Sequence, residues 1–281
     1  MMNLVLQGPG ASQDGLQSIA ALARPARMAE LSPSALRCED VAHTPEVIEA
    51  VQAAALAAQV DATFIEGGRS LSDFALVAMD MDSTLITIEC IDEIADMQGL
   101  KAQVSEITEA AMRGELDFAA SLTRRVALLA GLEATALERV YEERLRLSPG
   151  AETMLAAVQA AGLKTLLVSG GFTFFTERLK TRLKLDYTHA NVLEIEDGRL
   201  TGRVVGGIVD AEEKMRTVAR VCAELDVPTG RAIVMGDGAN DLKMMGIGGL
   251  SVAFRAKPVV RAQADVALNF SGLDGLLAVL R

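Results

Sequence analysis

The chain has 281 residues, half of them hydrophobic, and a formal net charge of −11. That length has room for a full α/β core and one or two smaller modules, while the acidic balance argues against nucleic-acid binding, which asks for a basic patch or stripe. No uncharged apolar run approaches the ~18 residues of a membrane span, and the first ten residues lack the basic start and long apolar stretch of a signal peptide.

In chain order, residues 1–70 read as a small α+β module: a strand at 3–7, a helix at 14–23 and an Ala-rich helix at 45–59. No chemistry-bearing cluster lies there, and Gly67-Gly68-Arg69-Ser70 reads as a linker. From Phe74 onward, apolar strand-length runs alternate with helical patterns, the signature of an α/β fold with a doubly wound, mostly parallel, Rossmann-like sheet. The strands fall at 74–79, 163–168, 231–235, 250–254 and 266–270. Runs at 192–195 and 200–205 flank Asp197-Gly198, a favoured hairpin turn, and read as an antiparallel addition. Residues 89–147 are helical and interrupt the sheet after its first strand. The core is therefore 71–88 with 148–281, and 89–147 is a helical cap above the first strand's carboxyl end, placed as a lid. Within the cap, Phe118, Leu122, Val126 and Leu129 share a helical face, with Arg125 toward it and Arg124 opposite.

Three strand ends carry the chemistry, as ligands in open α/β sheets bind outside the carboxyl ends of strands. Asp80-Met81-Asp82-Ser83-Thr84 follows the first. A strand-tip carboxylate can attack phosphorus and form an aspartyl-phosphate, which makes Asp80 the candidate nucleophile. Asp82 is the candidate general acid and base, its proton affinity raised by neighbouring carboxylates. Ser169-Gly170-Gly171 offers a hydroxyl and backbone N–H groups as a phosphate cradle, with an ordinary strand-to-helix turn capped by Ser169 as the plain alternative. Leu167 in place of the first glycine excludes a G-x-S-x-G serine-hydrolase elbow. Gly236-Asp237-Gly238-Ala239-Asn240-Asp241 supplies hard oxygen ligands suited to Mg²⁺. An EF-hand is excluded, since the sixth and twelfth positions counted from Asp237 are Leu242 and Gly248. Lys214, in a helical segment at 212–225, can neutralise phosphate charge as a point cation. The three cysteines, odd in number and far apart, read as reduced residues of a cytoplasmic protein.

In order and spacing, Asp80 to Thr84, Ser169-Gly170, Lys214 and Gly236 to Asp241 resemble the four motifs of the haloacid-dehalogenase (HAD) superfamily. Its phosphoserine phosphatase family is resembled by the cap and its entry at 88–95 and 111–118, and by the core at 169–173. The resemblance spans about 74–275. It implies hydrolysis of O-phospho-L-serine, a small-molecule substrate, as the last step of serine synthesis, with Mg²⁺ held by Asp80, the Asp82 carbonyl and Asp237. It also implies phosphate binding by Ser169, Gly170, Gly171 and Lys214, orientation by Asn240 and Asp241, recognition of the ammonium by Glu89 and of the carboxylate by Arg125, and lid closure by Met112 and Phe118. Some relatives carry an ACT-like module ahead of the core, and residues 1–70 share its loose β/α alternation. Transfer of the phosphoryl group to another amino-acid hydroxyl, a non-catalytic amino-acid sensor and a homodimer stay open at this stage.

Overall fold

The computed structural model describes residues 1–112 and 115–280, apart from the side chain of Met112. The N-terminal part contains β1 (Met2–Gln7), α1 (Gln13–Ala20), β2 (Arg27–Ser32), β3 (Ala35–Glu39), α2 (Pro45–Ala57) and β4 (Asp61–Glu66). Its four strands form an antiparallel sheet in the order β2-β3-β1-β4. The helices pack on it through Leu16, Ile19, Val51 and Ala55 against Leu4, Leu6 and Leu36. Ser12 caps α1 by accepting from Gly15 N–H, and Thr44 with Pro45 behind it starts α2. The loose alternation read from the sequence is thus a βαββαβ unit. Two of its strands carry little sequence signal: β2 is a largely exposed edge strand rich in polar residues, and β4 opens on an aspartate.

That aspartate ties the two parts together. Asp61 is buried, and its carboxylate accepts from the backbone N–H groups of Asn269 (2.7 Å), Phe270 (3.2 Å) and Ser271 (2.8 Å). Gln7 and Arg37 donate to the carbonyls of Gly275, Ala278 and Val279, while Val5 and Ile65 join the main core. A chain beginning at Leu71 is therefore expected to keep its turnover per site, since no cavity residue of the site lies upstream. Its stability should fall by at least the ~1.5–3 kcal/mol of a lost charge-assisted cap. Denaturant unfolding beside a turnover assay checks both; loss of chemistry in the folded fragment would mean that the first part completes the site.

The rest of the chain runs β5 (Leu76–Met79), α3 (Cys90–Asp96), α4 (Lys101–Met112), α5 (Phe118–Ala127), α6 (Thr135–Arg139), α7 (Ala151–Ala160), β6 (Lys164–Phe172), α8 (Thr173–Leu183), β7 (Tyr187–Glu196), β8 (Arg199–Val205), α9 (Ala211–Glu224), β9 (Ala232–Gly236), α10 (Leu242–Met245), β10 (Leu250–Phe254), α11 (Pro258–Arg261), β11 (Val266–Leu268) and α12 (Gly275–Val279). The sheet order is β11-β10-β9-β5-β6-β7-β8, parallel except for β8. Val77 and Met79 of β5 face the apolar layer of α7 and α12, and Leu76 and Ala78 face that of α9 and α10, which is why this strand has no polar alternation. The three motif strands β9, β5 and β6 are direct neighbours, so their carboxyl ends share one edge.

The hairpin differs from the sequence reading in one respect. Asp197 and Gly198 both take positive φ (49° and 73°), as a type I′ turn requires, but only β8 is antiparallel; β7 continues the parallel sheet beside β6. Helices α3 to α6 form the cap. It is stitched to the core where the chain enters and leaves it, Thr87 N–H donating to Arg146 C=O and Ser148 N–H to Leu85 C=O. It is also joined to the hairpin: Gly131 N–H donates to Leu200 C=O, Leu200 N–H to Leu132 C=O and Ala134 N–H to Gly198 C=O, each at 2.8 Å.

Candidate active site

The turn after β5 sets the site. Asp80 and Asp82 have extended backbone, the Met81 side chain between them is driven into the core, and Ser83 takes φ 57° to reverse the chain. Both aspartates are thereby left facing the cap. Asp80 is 5% exposed; its Oδ1 accepts from Met81 N–H at 2.8 Å and lies 2.7 Å from Lys214 Nζ, which leaves Oδ2 for other chemistry. Burial pushes its carboxyl well above the usual range, the Asp241 and Asp237 charges add to this, and Lys214 opposes it. Asp82 is raised to about 7 by burial and by Glu89, against the Cys90 N–H that donates to its Oδ1 at 3.2 Å.

The β9 tip supplies the opposing wall. Asp241 is fully buried; its Oδ2 accepts from the N–H groups of Asp237 (3.2 Å) and Gly238 (3.1 Å), and its Oδ1 accepts from Lys214 Nζ at 2.8 Å. Lys214 projects from α9, whose start is capped by Asp210. Burial works against its charge, but Asp241 and Asp80 more than offset that, so its pKa is raised. Asp237 accepts from Thr84 Oγ1 at 3.2 Å and is raised to about 6 by burial and by Asp241. Oxygens of Asp80, Asp237 and Asp241 lie within 4.8 Å of one another. Three carboxylates against one lysine leave a buried excess of negative charge, and the donors are all hard oxygens, a fit to a divalent cation such as Mg²⁺.

Ser169 is buried and its Oγ accepts from Gly171 N–H at 2.8 Å. It is not a helix cap: α8 starts only at Thr173, and the Ser169-Gly170-Gly171 turn lies in an irregular end of β6. Both glycines are dictated by neighbours, since a Cβ on Gly170 would come 2.7 Å from Phe118 Cζ and one on Gly171 2.8 Å from Asp82 Oδ2. The first contact shows the cap closed down on the cradle.

Core and cap enclose a cavity of about 630 Å³. Asp80, Asp82, Glu89, Phe118, Arg125, Ser169, Gly170, Gly171, Asp237 and Asn240 all line it, with Lys214 and Asp241 beneath; the Met112 side chain lies outside the described residues. Arg125 is half-buried with its Nε making no hydrogen bond, whereas Arg124 is exposed. Glu89 is held by Ser83 Oγ at 2.7 Å, and its carboxyl is raised by desolvation at the cavity wall. Sequence reasoning missed Asp92 and Lys257, which also line the cavity. Asp92 lies three residues after Glu89 on α3, one helical turn away, and Lys257 follows the tip of β10, so the strand-end rule extended to a fourth strand would have found it.

A doubly wound core with strand-tip aspartates beneath an inserted helical cap is the make-up of a haloacid dehalogenase-like hydrolase, and that family's model matches residues 77–246. A phosphoserine phosphatase of Polaromonas sp. is 58% identical over 216 residues, covering 75% of this chain and 92% of the relative. A HAD-family hydrolase of Salmonella enterica serovar Typhi superposes over 100% of this chain and 99% of its own, with a TM-score of 0.91 and 35% identity. A substrate-bound phosphoserine phosphatase gives a TM-score of 0.69 at 35% identity over 74% of this chain and 99% of that one. The chain belongs to the phosphoserine phosphatase family of HAD-like hydrolases.

Proposed function

We propose that the chain hydrolyses O-phospho-L-serine to L-serine and phosphate through an aspartyl-phosphate on Asp80. The observation that carries this is the single cavity joining Asp80 and the Ser169-Gly170 turn to Glu89 and Arg125 of the cap. Asp80 Oδ2 attacks phosphorus as the serine oxygen leaves, and protonated Asp82 supplies that oxygen with its proton. Asp82, now ionised, takes a proton from water, the resulting hydroxide attacks phosphorus, and the bond to Asp80 breaks, releasing phosphate. A pKa near 7 suits both roles. Ser169 Oγ, the Gly170 N–H and Lys214 bind the phosphate oxygens, and Asn240 and Asp241 orient the site. Mg²⁺ would be held by Asp80, Asp237 and the Asp82 carbonyl, where it neutralises phosphate charge. The three free cysteines, all buried, suit a reducing, cytoplasmic setting; among the described residues no helix is long and apolar enough to cross a membrane.

Phosphate release from phosphoserine, phosphothreonine and an aryl phosphate, with and without Mg²⁺, tests the reading. Phosphoserine is expected to lead, and rates should vanish on chelation and return with Mg²⁺ but hardly with Ca²⁺, which takes more ligands in looser geometry. Equal rates on all three esters, or phosphohomoserine formed when homoserine is added, would move the assignment to a general phosphatase or a phosphotransferase.

The cap residues set selectivity. Arg125 presents a planar fork suited to a carboxylate, and Glu89 offers the opposite charge to an ammonium. Removing one partner of a buried charged pair costs ~2–5 kcal/mol, roughly 30- to several-thousand-fold in kcat/KM. Arg125→Ala should impose that loss on phosphoserine and spare acetyl phosphate, and Arg124→Ala should do little. Equal slowing of both substrates by Arg125→Ala would reduce it to a packing residue.

A further inference from the structure

We infer that Asn191, on β7, is a positioning residue for the phosphate cradle; the inference rests on the function proposed above. Pairing between β6 and β7 runs regularly to Val168 opposite His189 and resumes only at Phe172 opposite Asn191. Three residues of β6, the cradle itself, therefore face one residue of β7, and their backbone groups lose the regular ladder. Asn191 fills that gap. It is 1% exposed, its Nδ2 donates to Gly170 C=O at 2.7 Å, and its Oδ1 accepts from Val209 N–H at 2.8 Å.

The consequence lies in one peptide plane. The carbonyl of Gly170 and the N–H of Gly171 belong to the same peptide, and both ends are held: the carbonyl by Asn191, the N–H by Ser169 Oγ at 2.8 Å. Between two glycines such a plane has little steric resistance to rotation. Gly170 lines the cavity, and Asn191 draws its carbonyl toward the buried side. A flipped plane would turn a carbonyl oxygen, the negative end of the dipole, on a bound phosphate. It would also release the Ser169 hydroxyl. Through Val209 the same amide reaches the segment that enters α9 one residue before its cap, Asp210, so the cradle and Lys214 are braced against a common side chain.

Asn191→Asp keeps the acceptor for Val209 N–H and sets an oxygen against Gly170 C=O; Asn191→Ala removes both bonds. The test compares each variant with the intact chain in KM for phosphoserine, inhibition by inorganic phosphate, inhibition by L-serine and thermal unfolding. Loss of a buried hydrogen bond predicts a rise of about ten-fold in KM and in the phosphate inhibition constant. The L-serine constant, set by the cap, should stay within about two-fold of its original value. Parallel weakening of serine and phosphate, a lower melting temperature with phosphate affinity unchanged, or failure of both variants to fold would each overturn the inference in favour of a purely structural residue. Absence of phosphoserine turnover in the intact chain would count against the proposed function alone, because binding of inorganic phosphate to the intact chain and to both variants, followed by calorimetry, still reads the cradle.

Discussion

Asp80→Asn is expected to abolish turnover, by at least about 10⁴-fold, the scale on which loss of a catalytic nucleophile is felt. The substitution keeps the side chain's size and the acceptor for Met81 N–H but removes the charge that attacks phosphorus. It should also prevent formation of a stable beryllofluoride adduct and of any phosphoryl adduct seen by intact-protein mass spectrometry after rapid quenching. Folding should survive: Lys214 retains Asp241 at 2.8 Å, and one of the carboxylates crowding one another is gone. Substantial phosphate release by a folded Asp80→Asn chain would mean that water attacks phosphorus directly and that no covalent intermediate exists.

Lys214→Met should be nearly as damaging, and through stability as well as rate. Asp80 and Asp241 lie 5% and 0% exposed on either side of the Lys214 ammonium, at 2.7 and 2.8 Å. Taking away the shared cation strands two buried carboxylates against each other, and breaking a buried ion pair costs about 3–5 kcal/mol. Loss of one preorganised cationic donor should lower kcat by roughly 10²–10³-fold besides. Denaturant midpoints together with kcat separate the two effects. Lys214→Arg should recover part of the stability but little of the rate, since a planar fork cannot place one nitrogen between both carboxylates as the ammonium does. Unchanged stability in Lys214→Met would show that the aspartates take up protons and do not need the lysine.

The strand-end half of the candidate site was legible because its residues sit at the ends of uninterrupted apolar strands, where a one-dimensional rule locates them. Asp80, Ser169 and Asp237 are of this kind. The cap's cavity-lining residues were less so. Arg125 could be placed on the apolar face of its helix by periodicity alone, but the partners that make such a position sensible, Asp92 and the cavity itself, depend on how α3 and α5 pack. Asn191 left no trace in the sequence, since it acts across a break in pairing between two strands that periodicity treats as independent. The N-terminal sheet was underread for a related reason: a polar edge strand such as β2 owes its conformation to its neighbour β3, not to its own pattern.

The bonds between residues 131–134 and the β7–β8 hairpin bear on how molecules enter and leave. A cap attached only by its two chain crossings could swing as one body on that pair of pivots. Here such a swing would tear three main-chain hydrogen bonds from the β7–β8 hairpin at the sheet edge, or drag that hairpin with it. The low-cost opening is therefore a partial one, in which the end bearing Phe118 lifts from Gly170 while the far end stays anchored. Traffic through the site is then a matter of a hinged corner, and phosphate bound as proposed at the Ser169-Gly170 turn would lie beneath that corner and leave as it rises.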